Sequence, residues 1–217
     1  AQTFSRSTET GFHIGLLHAN VGGQPGHDDY APCHLEDLRA ARMDYWALGH
    51  VHTRQILLQG ETWAVYPGNL QGRSFKPSEL GPKGASLVHV RGDRVERVEH
   101  LPLAPIRFEL LSVDVSGLAD LVEVERALIH EIERLDAAGV EGLLLAVELH
   151  GECAFHDELT AGADELRQAL DDLTLGGEPW CHWVRLFART STPVDRTALR
   201  DRQDLLGALL RRIDALR

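Results

Sequence analysis

Long hydrophobic runs are what this 217-residue chain most clearly lacks. The longest uncharged apolar stretches, such as Gly142–Val147, fall far short of the roughly 18 residues a membrane-spanning helix requires. No basic start followed by an apolar segment suggests a signal peptide, and the chain reads as cytoplasmic with no membrane partner. Cysteine is also scarce. Cys33, Cys153 and Cys181 lie far apart with no CxxC pair, an odd count that suits reduced thiols better than a disulfide framework or a thiolate zinc site. Low complexity and repeats are absent as well. With 43% hydrophobic and 25% charged residues, disorder and collagen are excluded and a packed core is expected.

Positive charge is in deficit too, since 22 Lys and Arg face 33 Asp and Glu, a net charge of −11. The imbalance is uneven: residues 1–105 carry 10 basic and 11 acidic side chains, and residues 106–217 carry 12 and 22. Charge alone does not predict a nucleic-acid partner, and an anionic substrate fits the first half better than the second.

The texture changes at Leu101-Pro102-Leu103-Ala104-Pro105, where two closely spaced prolines disfavour continued helix or strand pairing. This places one domain at residues 1–103 and another at 104–217. The first reads as strand-rich: an apolar run Phe12–Leu17, a short helix His34–Arg42 and a buried strand Tyr45–Leu48. Hairpins follow around Gln59-Gly60-Glu61 and Arg91-Gly92-Asp93. The second alternates strand and helix. Strands are expected at Arg107–Val115, Leu143–Leu149 and Trp183–Ala188. A helix over Leu118–Leu135 would turn Leu118, Leu121, Val122, Leu128, Ile129, Ile132 and Leu135 inward. Helix Asp157–Leu173 would bury Leu166, Ala169, Leu170 and Leu173, and helix Thr197–Leu216 would bury Leu199, Leu206, Leu209, Leu210, Ile213 and Leu216. The fold class is α/β.

Histidine supplies the chemistry. Of twelve, six (His13, His18, His27, His34, His50 and His52) lie in the first 52 residues. Gly49-His50-Val51-His52 follows an apolar strand directly. If the strand pattern continues, His50 and His52 at i and i+2 share one face, and Gly49 leaves room for a ligand to approach the backbone. His18 leaves the strand Phe12–Leu17 in the same way. Three imidazoles on one rim suit manganese, iron or zinc, with carboxylates needed to balance a two-ion site. Asp28, Asp29 and Asp44 are nearby, with loop solvation and turn formation as the plainer role. Two histidines on a wet strand end with no ligand is the alternative for the HxH pair. In Tyr66–Arg73, Gly68 and Gly72 allow a tight backbone while Asn69, Gln71 and Arg73 offer donors to phosphate; a hairpin connection with a surface arginine is the alternative. Gly81-Pro82-Lys83-Gly84 lacks Walker spacing and reads as a turn into the next strand. His27 and His34 flank the 28–33 loop and are secondary candidates for approaching substrate; His13 and the six later histidines are assigned no function. Trp180 and Trp183 are assigned to core or interface.

Gly15-Leu16-Leu17-His18, Tyr30-Ala31-Pro32-Cys33 with Leu35-Glu36-Asp37-Leu38, Asp44–His52, Tyr66–Arg73 and Gly81–Gly84 occur in an order that resembles the second half of a calcineurin-like metallophosphoesterase. The likeness is to DNA repair exonucleases of the SbcD and YhaO type. It is strong over about residues 10–90 and looser beyond.

The resemblance implies the second half of a four-layer αββα sandwich followed by a small α/β capping domain. It makes His18, His50 and His52 metal ligands, with His50 and His52 also catalytic, around two divalent ions, most commonly Mn2+. It implies DNA as substrate and an SbcC-like ABC-type ATPase as partner. The family's Asp-x-His, Gly-Asp and Gly-Asn-His-Asp segments do not occur here, and the chain does not start with methionine. It is therefore expected to be a carboxyl-terminal fragment, inactive by itself and able to self-associate as a homodimer or to retain the missing half as a separate chain. The acidic second domain argues against a DNA grip and for partner contact, with the last helix as a contact or as ordinary core packing. Two other functions remain open: hydrolysis of a small phosphoester or cyclic nucleotide, and a non-catalytic partner-binding or dimerisation module.

Overall fold

A computed structural model describes residues 4–23 and 33–214. The loop containing His27, Asp28, Asp29 and Tyr30–Pro32 lies outside the described residues, as does Leu216. The first segment builds a four-stranded sheet from β1 (Ile14–His18), β2 (Tyr45–Gly49), β3 (Gln55–Leu58) and β4 (Trp63–Tyr66), in the order β1-β2-β4-β3. β1, β2 and β4 run parallel, and β3 returns antiparallel to β4 as the expected hairpin. Helix α1 (Leu35–Ala40) connects β1 to β2.

The alternation along β2 and β4 divides the core between two faces. Trp46, Leu48, Ala64 and Tyr66 pack with Leu38 of α1, Ala19, Val21 and Met43 on one side. Tyr45, Trp63 and Val65 pack on the other against Val88, Val95 and Val98. Those valines belong to the hairpin of β5 (Gly84–Arg91) and β6 (Arg94–Pro102), so a helix and a hairpin cover opposite sides of the central strands. A fully buried side chain such as Trp46 or Leu38 contributes about 2–3 kcal/mol by leaving water. The edge strand β1 is less well covered. Ile14 and Leu16, in register with Tyr45 and Ala47, are 62% and 81% exposed.

The remaining elements are β7 (Ile106–Asp114), α2 (Leu121–Glu133), β8 (Gly142–Glu152), α3 (His156–Ala161), α4 (Ala163–Thr174), β9 (Trp180–Ser191), α5 (Arg196–Asp201) and α6 (Leu205–Asp214). β7, β8 and β9 form a three-stranded sheet in that order. The chain falls into two compact units. One comprises Ala1–Leu111, Asp136–Ala146 and Asp171–Arg185, so it takes in residues on both sides of the Leu101–Pro105 segment; the other comprises Ser112–Leu135, Val147–Leu170 and Leu186–Arg217. Among the described residues no helix is long and apolar enough to cross a membrane. Cys33, Cys153 and Cys181 are free and buried.

Three helical expectations need correction. α2 starts at the Asp120 cap, whose side chain accepts from the Glu123 N–H at 3.0 Å. It buries Leu128 as expected, with Leu121, Ile129 and Ile132 half-buried, but Val124 takes the core place expected for Val122, which is 52% exposed. The helix over Asp157–Leu173 is two helices separated at Gly162, and Ala169 and Leu173 face solvent. The last helix is also broken. α6 restarts after Asp204, whose carboxylate accepts from the Gly207 N–H at 3.1 Å, and Leu206, Leu209 and Ile213 are exposed rather than inward.

Candidate functional site

β1 and β2 end side by side, with His18 in register with Gly49. The carboxyl ends of parallel strands are where open α/β sheets hold ligands. His18 and the residue after Gly49, His50, meet there, with ring centroids 5.3 Å apart and the rings edge to face at 75°. The space left by Gly49 is occupied from within the protein. A β-carbon on Gly49 would lie 2.8 Å from His18 Nδ1, so the glycine admits an imidazole. β2 does not continue through the HxH pair as expected. His50 has φ of 105°, a region that disfavours side chains, and the turn sends Val51 into the core.

Behind this rim lies a buried phenol. The Tyr66 hydroxyl donates to the Ala19 carbonyl at 2.6 Å and accepts from the Val21 N–H at 2.9 Å, and Ala19 N–H donates to Gly49 O at 3.3 Å. The segment leaving His18 is thereby tied to both β4 and β2. Burial pushes the Tyr66 phenol up from its usual range.

His52 is held by a different group of residues. Its Nδ1 lies 2.5 Å from Glu79 Oε1. Glu79 closes the 3-10 turn Pro77–Glu79 and is 5% exposed. Its other oxygen accepts from Asn69 Nδ2 at 2.8 Å and Arg73 N–H at 3.1 Å. Burial alone would raise this carboxyl, but the hydrogen bonds from His52, Asn69 and Arg73 outweigh it and hold it below the ordinary carboxylate range. The His52 carbonyl accepts from Asn69 N–H at 3.3 Å and from buried Lys83 Nζ at 3.3 Å, and Lys83 also donates to Ser78 O at 2.5 Å. Burial draws the Lys83 ammonium below its usual range. Gly68, at φ +83°, lets this wrap close, because a β-carbon there would lie 2.9 Å from His52 O.

The loop donors have distinct positions. Asn69 Nδ2 is shared between Glu79 and Gln71 O, and Gln71 Nε2 donates to Gly72 O and Ile106 O. Arg73 projects outward, its side chain 71% exposed with the guanidinium 4.0 Å from Glu79 Oε1. Asp44 is at the amino end of β2, the end opposite His18 and His50. It accepts from the His13 N–H at 2.7 Å and pairs with Arg6. A cavity of about 910 Å³ opens at that same end, lined in part by Arg6, Arg39, Arg42, Leu58, Glu61 and Arg94. It is therefore separate from the histidine rim. His34 N–H donates to Asp37 at the start of α1. His89 pairs with Glu99, His182 with Asp171 and His156 with Thr190. Trp183 is fully buried, its indole donating to Thr174 Oγ1 at 3.0 Å.

Sequence reasoning named neither Glu79 nor the Tyr66 hydroxyl as parts of this site. The only local sign of Glu79 is a carboxylate inside a Gly- and Pro-punctuated segment. As a donor set, His18 and His50 suit two bonds to one ion. Among the described residues, however, no group of three or more His, Cys, Asp or Glu side chains is disposed to hold a metal.

Residues 108–191, from β7 to the end of β9, match the family profile described as Metallophosphoesterase YhaO, middle domain. With the histidine rim this supports a relationship to the metallophosphoesterases, a class of phosphoester hydrolases that use divalent metals, and the mixed α/β architecture is consistent with it. The chain is also similar to a Bacillus subtilis (strain 168) protein named "Uncharacterized metallophosphoesterase YhaO", at 43% identity over 116 residues. That stretch is 54% of this chain and 28% of the relative, so the chain spans little more than a quarter of the curated relative it matches.

Proposed function

We propose that this chain is the later part of a metal-dependent phosphodiesterase, a DNA repair exonuclease in which His18, His50 and His52 ligate divalent ions, manganese foremost. It would comprise the second half of a four-layer αββα sandwich followed by an α/β capping domain. The observation that carries the reading is the meeting of His18 and His50, delivered by two separate parallel strands at the end of the sheet where ligands bind. Such ions, when bound, supply Lewis acidity toward a phosphoryl oxygen and an acidified water. The chain's own contribution is to converge two imidazoles, to orient a third through Glu79, and to present Arg73 at the surface within reach of a phosphate.

The remaining ligands are carboxylates and imidazoles that these residues do not provide, and the isolated chain is accordingly inactive. Exposed Ile14 and Leu16 on edge strand β1 support packing of the rest of the sandwich, or of a second copy, against this strand. α6 shows Leu205, Leu206, Leu209 and Ile213 to solvent, which supports contact with an SbcC-like ATPase over a purely internal role.

The test is hydrolysis of double-stranded DNA against bis-p-nitrophenyl phosphate, with manganese, by a protein that also carries the Asp-x-His, Gly-Asp and Gly-Asn-His-Asp segments. DNA degradation lost in His50→Ala supports the reading. Preference for the small ester favours a small-molecule phosphoesterase, and undiminished turnover without His50 overturns it.

A further inference from the structure

Glu79 offers two oxygens with different duties. Oε2 receives two N–H donors, from Asn69 Nδ2 at 2.8 Å and the Arg73 backbone at 3.1 Å, while Oε1 faces His52 Nδ1 at 2.5 Å. Two N–H donors and an imidazole nitrogen therefore converge on a single carboxylate that is almost wholly buried. The other end of the His52 peptide is fixed as well, through its carbonyl to Lys83 Nζ and Asn69 N–H. Backbone and ring are thus held independently, which fixes the place of the ring.

We propose that Glu79 is a positioning residue that keeps His52 protonated on Nδ1, so that Nε2 carries the electron pair available to a divalent cation. This rests on the metal-binding reading only for its purpose, since the tautomer itself is set by contacts within this chain. An imidazole that gives one N–H to a carboxylate must offer its other nitrogen as acceptor, and the carboxylate makes that nitrogen more basic.

The geometry makes Glu79→Gln a directional test. The amide oxygen of the glutamine is required at the Oε2 position, where two N–H groups point; the reverse orientation would set the NH2 against both. Its NH2 then faces His52 Nδ1, which has to accept, and the proton moves to Nε2. A side chain of merely structural importance would not reverse a tautomer.

The experiment is long-range 1H–15N NMR on the uniformly 15N-labelled 217-residue chain without metal, at a pH where the imidazoles are neutral. The expected result is a pyrrole-like Nδ1 and pyridine-like Nε2 for His52, interchanged in Glu79→Gln while the His89 and His182 patterns stay in place. An Nε2–H His52 in the unsubstituted chain overturns the proposal, and so does a folded Glu79→Gln protein that keeps the proton on Nδ1. If Glu79→Gln does not fold, the tautomer of the unsubstituted chain still decides. A second measurement addresses the purpose: in a protein that also carries the three missing segments, Glu79→Gln should weaken manganese binding about ten- to a hundredfold. A tautomer as stated in a longer protein that takes up no manganese upholds the role of Glu79 and counts against the metal reading alone.

Discussion

The imidazole of His18 lies across the α-carbon of Gly49, its Nδ1 2.8 Å from where a β-carbon would stand. Gly49 therefore acts as the floor on which the His18 ring rests, and the position tolerates no side chain without moving that ring. Gly49→Ala should displace the exposed His18 ring from His50 at a stability cost of no more than about 1 kcal/mol, because the ring can swing into solvent. The check is the set of cross-ring contacts between His18 and His50 in a nuclear Overhauser spectrum: they should weaken or vanish in the variant while the contacts of Trp46 with Leu38 persist. Unchanged ring contacts would show that Gly49 has no such role.

His50 pays for its position with a φ of 105°. Replacement by glycine removes the imidazole and relieves the backbone, whereas replacement by alanine removes the imidazole and keeps the strain. His50→Gly should consequently be more stable than His50→Ala by about 1 kcal/mol in urea denaturation. Equal midpoints, or alanine ahead of glycine, would contradict a strained backbone at this residue.

Tyr66 is a buried hinge pin for the segment that follows His18. Tyr66→Phe leaves the fully buried Ala19 carbonyl and Val21 N–H without their phenol partner. A cost of about 1–3 kcal/mol follows from stranding such groups. Hydrogen exchange gives a sharper reading than the midpoint: the Val21 amide should lose protection selectively, while amides of β2 and β4 change only with global stability.

Much of the strand framework was legible because apolar alternation and turn residues are local signals. Tyr45–Leu48, the two hairpins and the strand leading to His18 emerge at or within a few residues of their expected positions. The helices were less legible. Leucines recur at helical spacing straight through Gly162 and through Arg202–Asp204, so the pattern gives no warning of a break that Asp204 then caps. In α2, Val124 rather than Val122 joins Leu128 in the core, because tertiary packing selects among several apolar positions. The site divides in the same way. His18 and His50 could be brought together from strand ends alone, but the Glu79–His52 contact joins residues 27 apart across glycine-rich loops, where no periodicity operates. The turn at His50 is likewise illegible in the sequence, since a left-handed histidine has no sequence signature.

Asp44 gives the amino end of β2 a pH dependence of known sign. Burial opposes its ionisation, yet the hydrogen bond from the His13 N–H and the hydrogen bond and charge of Arg6 together hold its carboxyl below the ordinary value of about 4. With a native pKa lower than the unfolded one, the unfolded chain binds more protons in that interval. The stabilisation is complete above the unfolded value and is lost as pH falls through the native one. Asp44→Asn should therefore be less stable than the unsubstituted chain at pH 7, and the gap should narrow progressively below about pH 4. Denaturant midpoints of both proteins across pH 7 to 3 test this. A gap that stays constant would place the value of Asp44 in its shape and neutral hydrogen bonding, and remove its charge from the account of how β2 is anchored beneath the histidine rim.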